Sequence, residues 1–186
     1  MLLVSQNLCN YEINYPKSTV LRFNLAWVDD LSTLEKAVSN LDNDIFLDLP
    51  VGRTKPPTNK YNLSDLKNII EKNSNIKYLA ISNVGSYEDI KEPSLLFSDY
   101  LSIVPKIETL KGLENISEIC SRLVGEKIIM LDHDDLFSDL IKNNISSSKF
   151  FDYIEDLVYF CELKAVKLLK TRGVIFSDED KYRFKR

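Results

Sequence analysis

Short apolar runs alternate along the chain with longer segments in which apolar residues recur every three or four positions. The run from Leu21 to Trp27 predicts a strand, and the spacing of Leu31, Leu34, Val38 and Leu41 predicts a helix over about 31–41. Ile45–Leu49 reads as a buried strand running into a Gly/Pro-rich loop from Pro50 to Pro57. Ser64 is the expected N-cap of a helix bearing Leu66, Ile69 and Ile70. A strand over 77–82, a helical segment over 86–97 interrupted by Pro93, and a strand over 101–107 follow. The next helix carries Leu113, Ile116, Cys120 and Leu123 on one side, and 127–131 is again a continuous apolar strand. A long helix is expected from about Ser148 to Lys170, then a last strand over Gly173–Phe176, and Leu2–Val4 is a candidate seventh strand.

Strands separated by helices of this length imply parallel βαβ units. Strands apolar along their whole length fit a sheet covered by helices. The expected fold is therefore α/β, a compact or incomplete (β/α) TIM-type barrel with parallel strands alternating with helices. An open doubly wound sheet remains the alternative, because a full eight-fold barrel takes about 250 residues and this chain has 186. No glycine-rich phosphate loop follows the first strand, which weakens the dinucleotide-binding version.

Composition narrows the function classes more than it names one. Hydrophobic residues make up 44% and charged residues 28%, with a formal charge of −4, an ordinary globular balance for one domain spanning 1–186. Acidic and basic residues are mixed, so no nucleic-acid partner is expected, and the basic run Lys181–Arg186 reads as a solvated tail. Cys9, Cys120 and Cys161 are odd in number and far apart, which argues against a disulfide framework or a zinc site. No apolar run reaches the ~18 residues of a membrane span, and the N-terminus lacks signal-peptide features. A cytoplasmic protein with no membrane partner is the expectation.

The chemistry gathers where strands end, the place where parallel α/β folds build their sites. Arg22 and Asn24 sit in the first clear strand, Asp48 in the second, Lys106 and Glu108 at the end of the fourth, and Asp132, His133, Asp134 and Asp135 at the end of the fifth. Desolvating so many charges is costly unless they pair or bind a metal. Lys106 and Glu108 are two positions apart on a strand and face the same side, so a plain ion pair is one reading. Glu108 with Asp135 from the next strand forms the other, a hard oxygen site suited to Mg2+ or Mn2+. Lys106 beside it could neutralise charge on a bound oxyanion. The acids 132–135 could equally cap a following helix, and His133 reads as a loop residue within reach of the site.

These motifs carry a resemblance. Pro105–Ile119 resembles the pyruvate kinase segment S-K-I-E-N-x-x-G-x-x-N-x-x-E-I and is similar to the P-x-I-E-T stretch of citrate-lyase-type and 2-keto-3-deoxy acid aldolases. Ile129–Leu136 resembles I-M-V-A-R-G-D-L, Leu21–Asn24 resembles R-L-N, and Leu47–Thr54 resembles L-D-L-P-G-P-K-x-R. The four occur in family order across most of residues 20–140.

The resemblance to this pyruvate kinase-like, phosphoenolpyruvate/pyruvate-binding barrel superfamily implies roles. Glu108 and Asp135 match metal ligands, with Mg2+ or Mn2+ as cofactor. Lys106 matches a charge-stabilising lysine, and Arg22 an arginine facing the substrate's phosphate or carboxylate. Asn24 and Asp48 match positions that bind a monovalent cation; His133 is kept as a candidate substrate-binding residue by its position alone. The implied activity is divalent-metal-dependent chemistry on phosphoenolpyruvate, pyruvate or a related 2-oxo acid through an enolate held by the metal, either aldolase/lyase-like or kinase-like. The chain departs from the kinases in having no nucleotide lid and no C-terminal regulatory domain, and in placing Asp134 where they carry glycine. A catalytically degenerate barrel paralogue, serving as a binding or structural subunit, is the alternative. Unclosed sheet edges imply a homo-oligomer.

Overall fold

Ile45–Leu49 is buried at every position, as a strand must be when both its faces are covered. It forms β3 of a seven-stranded sheet in a computed structural model that describes residues 1–5, 15–53 and 56–170. The other strands are β1 (Leu2–Ser5), β2 (Thr19–Asn24), β4 (Ile76–Ile81), β5 (Ser102–Ile107), β6 (Ile128–Leu131) and β7 (Lys167–Lys170). Every neighbouring pair is parallel, and the strands lie in chain order from β1 to β7.

The helices are α1 (Leu31–Ser39), α2 (Leu63–Lys72), α3 (Glu88–Phe97), α4 (Leu110–Glu114), α5 (Ile116–Ser121), α6 (His133–Lys142) and α7 (Phe150–Leu163). A doubly wound sheet reverses its strand order at a switch point. Here each unit adds its strand on the same side of the one before, and the sheet curls into a half-barrel. The fold is α/β, an incomplete TIM-like barrel. Among the described residues, no helix is long and apolar enough to cross a membrane.

The two faces of the sheet carry different cores. Leu21, Phe23, Ile45, Leu47, Leu79, Ile81, Ile103, Ile107, Ile129 and Leu131 belong to the larger cluster, which also takes in Leu34, Val38, Leu66, Ile69, Ile90 and Leu136 from the helices. The other face holds Val20, Phe46, Ala80, Val104, Ile128 and Met130. Advancing two positions along each strand keeps the face and changes the chemistry. Val20 gives way to Arg22, Phe46 to Asp48, Ala80 to Ser82, Val104 to Lys106 and Met130 to Asp132. The concave side is thus apolar at the N-terminal ends of the strands and charged at the C-terminal ends.

Local chemistry fixes the element ends. Asp30 caps α1 by accepting from the N–H groups of Ser32 and Thr33, and the hydroxyls of the same two residues, with those N–H groups, hold its carboxyl down at about 2. Asn62 and Asp65 form a reciprocal capping box on α2, a device that contributes about 1 kcal/mol. The cap is therefore Asn62, and Ser64 lies inside the first turn.

Several elements differ from expectation for identifiable reasons. The first clear strand ends at Asn24, because Leu25–Trp27 turns into a 3-10 helix capped by the Asn24 side chain. Pro93 sits within α3 without ending it. The helix expected around Leu113–Leu123 breaks at Asn115, whose amide donates to Gly85 O at 2.8 Å. The long helix expected over 148–170 ends at Leu163. Ala165 adopts φ +52°, Val166 N donates back to Cys161 O at 2.8 Å, and residues 167–170 pair with β6. The strand expected over Gly173–Phe176, the basic run Lys181–Arg186 and Cys9 lie outside the described residues.

Candidate functional site

The charged end of the concave face opens into a cleft of about 540 Å³. Its lining includes Arg22, Asn24, Arg53, Ser82, Asn83, Lys106, Glu108, Asp132, Asp135 and Asp139. Register and alternation place these groups. Arg22 and Asn24 come from β2, Lys106 from β5, and Glu108 from the first position beyond β5. Asp132 follows β6 and is the N-cap of α6, accepting from Asp135 N at 3.4 Å, so the acids do cap a helix as well as face the cleft.

Lys106 is the hub. Its Nζ lies 2.6 Å from Glu108 Oε1, 3.7 Å from Asp48 Oδ2 and 3.9 Å from Asp132 Oδ2, and it donates to Ser82 Oγ at 3.1 Å. Glu108 uses its second oxygen to accept from Asn83 N at 2.7 Å. Arg22 donates through Nε to Asp48 Oδ2 at 3.0 Å, makes a further contact to that oxygen through Nη2, and reaches Ser5 Oγ at 3.1 Å through Nη1. Asp48 is fully buried, and its Oδ1 has no hydrogen-bond partner among the described residues.

The charge balance here is negative. The acids Asp48, Glu108, Asp132, Asp135 and Asp139 stand against the bases Arg22, Arg53, Lys106 and Lys142. Burial alone would pull the Lys106 ammonium down, but the Asp48 and Glu108 charges and the hydrogen bond to Glu108 more than offset it, so its pKa lies above the ordinary lysine value. Burial pushes the Glu108 carboxyl above the usual carboxylate range, and Lys106 with the Asn83 N–H offsets only part of that rise. The rise at Lys106 comes from the neighbouring carboxylates and the rise at Glu108 chiefly from burial, and in each case the group holds its proton more tightly.

One carboxylate oxygen from each of Glu108, Asp132 and Asp135 lies within 4.8 Å of the other two. Three hard oxygen donors converging in a pocket of excess negative charge suit Mg2+ or Mn2+. Glu108 and Asp135, singled out from sequence, are thus brought together, and Asp132 joins them as a third donor. Asn24 and Asp48 pair across β2 and β3, but the Asn24 side-chain oxygen accepts from Ala26 N at 3.0 Å. His133, the first residue of α6, is not among the side chains lining the cleft. Asp134 is exposed and also absent from the lining, so its bulk does not enter the cleft.

Sequence reasoning passed over Ser82, Asn83 and Asp139. Ser82 was legible in the alternation that continues β4 by one step. Asn83 acts through a backbone N–H at φ +57°, a role that only the assembled loop reveals.

No family model matches the chain. The pyruvate kinase of Methanocaldococcus jannaschii is 38% identical over 88 residues, which take in 44% of this chain and 19% of that kinase. The chain thus spans about a fifth of the length of the curated relative it matches. Among solved structures, RipC from Yersinia pestis superposes with a TM-score of 0.60 at 14% identity, covering 87% of this chain and 74% of that one. At that identity the likeness is one of fold.

Proposed function

We propose that this chain is one barrel-type domain of a divalent-metal-dependent enzyme acting on phosphoenolpyruvate, pyruvate or a related 2-oxo acid. The observation that carries the reading is the convergence of Glu108, Asp132 and Asp135 beside the buried Lys106. It stands in a chain that is similar, over part of its length, to a pyruvate kinase.

Glu108, Asp132 and Asp135 would hold the ion. When bound, Mg2+ or Mn2+ supplies positive charge to the carboxylate and enolate-type oxygens of such a substrate. Lys106 places an ammonium where negative charge develops on the reacting oxygen. Arg22 orients the substrate's anionic group while it is itself held by Asp48. The buried, unpartnered Asp48 Oδ1 leaves an acceptor for the monovalent cation that the sequence resemblance implies. His133 stays a candidate only for a substrate that extends beyond the cleft.

Carbon–carbon bond cleavage or condensation suits the site better than phosphoryl transfer to a nucleotide. Only residues 50–62 separate β3 from α2, too few for a closing domain, and phosphoryl transfer without a lid exposes the reaction to water. β1 and β7 end the sheet among the described residues, and such edges are covered in native proteins. A homo-oligomer therefore belongs to the same reading, and a monomeric mass by light scattering would count against it.

Exchange of the pyruvate methyl protons for solvent deuterium, followed by NMR in the presence of Mg2+ or Mn2+, tests the enolate chemistry directly. The exchange is expected in the wild-type protein and lost in Lys106→Met and Asp135→Asn. A melting temperature that responds to neither Mn2+ nor Mn2+ with oxalate, together with no exchange, would leave the degenerate-paralogue reading in its place.

A further inference from the structure

The ladder between β5 and β6 is short, pairing only Lys106 with Met130 and Ile107 with Leu131. The three carboxylates lie beyond its end. Glu108 rides on the segment leading into α4, whereas Asp132 and Asp135 ride on the first turn of α6. Past the ladder, Asp132 N reaches Ile107 O at 3.4 Å, a long contact that restrains the separation weakly.

A second link lies one turn further along α6. Asp139 Oδ2 accepts from Leu110 N at 2.8 Å. Leu110 is two residues beyond Glu108, and Asp139 is one helical turn beyond Asp135. Leu110 N opens α4, where Thr109 Oγ1 already serves Gly112 N. The Asp139 carboxylate is steadied in turn by Asn143 Nδ2, at 3.2 Å from the same oxygen. Asp139 lines both the cleft and the neighbouring pocket bordered by Asn83, Thr109 and Lys111, so it spans the wall between the two carboxylate-bearing segments.

We infer that Asp139 is a positioning residue for the metal centre, its hydrogen bond to Leu110 N setting how far Glu108 stands from Asp132 and Asp135. The inference rests on reading those three residues as metal ligands. A hard cation needs its oxygens at a narrow range of distances, and a segment free to slide spreads them.

The test is the Mn2+ dissociation constant measured by calorimetry on the full chain. Asp139→Ala is expected to bind about tenfold more weakly. Asp139→Asn keeps an oxygen acceptor for Leu110 N–H and is expected to bind within about threefold of wild type. Wild-type affinity in D139A, or a loss in D139N as large as in D139A, overturns the inference while leaving the three ligands in place. If D139A does not fold, Asp139→Glu decides. It keeps charge and acceptor but adds a methylene, so weaker binding supports the positioning role and unchanged binding overturns it. A wild-type protein that takes up no Mn2+ overturns the metal centre itself.

Discussion

Lys106 and Glu108, two positions apart at the end of β5, close to 2.6 Å through Nζ and Oε1, yet they are unequal partners. Lys106 also faces Asp48 and Asp132, whereas Glu108 has one ammonium and one backbone N–H. Replacing Lys106 by methionine leaves the buried Glu108 without a counter-charge and Asp48 with Arg22 alone, and is expected to cost about 3 kcal/mol. Glu108→Gln leaves Lys106 still paired with Asp48, and burial already favours the neutral form of that side chain. It is expected to cost under about 1 kcal/mol. Urea midpoints of the two variants would show the asymmetry, and equal losses would contradict it.

Asp132 does two jobs that substitution can separate. Its Oδ1 caps α6, and it also offers a carboxylate oxygen to the cluster with Glu108 and Asp135. Asparagine caps helices as well as aspartate, so Asp132→Asn should leave the metal-free melting temperature close to that of wild type while weakening Mn2+ binding. Asp132→Ala should lose affinity and about 1 kcal/mol of stability together. Calorimetric Mn2+ titration alongside thermal melts distinguishes them. A D132N protein with wild-type affinity would reduce Asp132 to a cap.

Gly112 carries the site's architecture at one remove. A Cβ there would stand 2.5 Å from Val84 O, a backbone atom that cannot step aside cheaply. The loop it would push is the one whose Asn83 N–H holds Glu108, and Asn115 grips the same loop through Gly85 O. Gly112→Ala is expected to destabilise the fold by about 1–3 kcal/mol and to weaken Mn2+ binding with it. Thermal melts and metal titration read both effects. A neutral G112A would show that the loop adjusts freely.

How much of this was legible in the sequence follows from which forces act locally. β3, β4, β5 and β6 announce themselves through apolar runs, and the buried charges Asp48 and Lys106 that interrupt β3 and β5 mark the C-terminal mouth. β7 does not. Leu163 to Lys170 is a string of good helix formers, and only pairing with β6 overrides that preference. The break at Asn115 escaped for the same reason, since its cause is a carbonyl thirty residues away in sequence. Glu108 could be singled out because it directly follows the end of β5, and Asp135 because it lies in the acidic run that follows β6, on the first turn of α6. Asp132 was open to the capping explanation, which is also true, and Asp139 acts through a backbone partner that no spacing rule reveals.

The two described cysteines give a pH dependence with a definite sign. Cys120 on α5 and Cys161 on α7 are both 3% exposed. Burial pushes the Cys120 thiol up to about 12 and the Cys161 thiol up to about 11. In the unfolded chain a thiol ionises near 8.5. Both folded values are raised, so the preference for the neutral thiol contributes its full stability below the unfolded value. That contribution shrinks as pH climbs and is lost by the time the folded thiols titrate, at about 11 and about 12. Alkaline unfolding is therefore expected to steepen above about pH 8.5, and Cys120→Ala should flatten that part of the profile. The thiolate is the reactive form, so iodoacetamide at about pH 8 should leave both residues unmodified in the folded protein and label both in guanidinium. Peptide mapping by mass spectrometry reads the result. Rapid native labelling of Cys120 would mean that α5 opens from the sheet far more often than its packing implies.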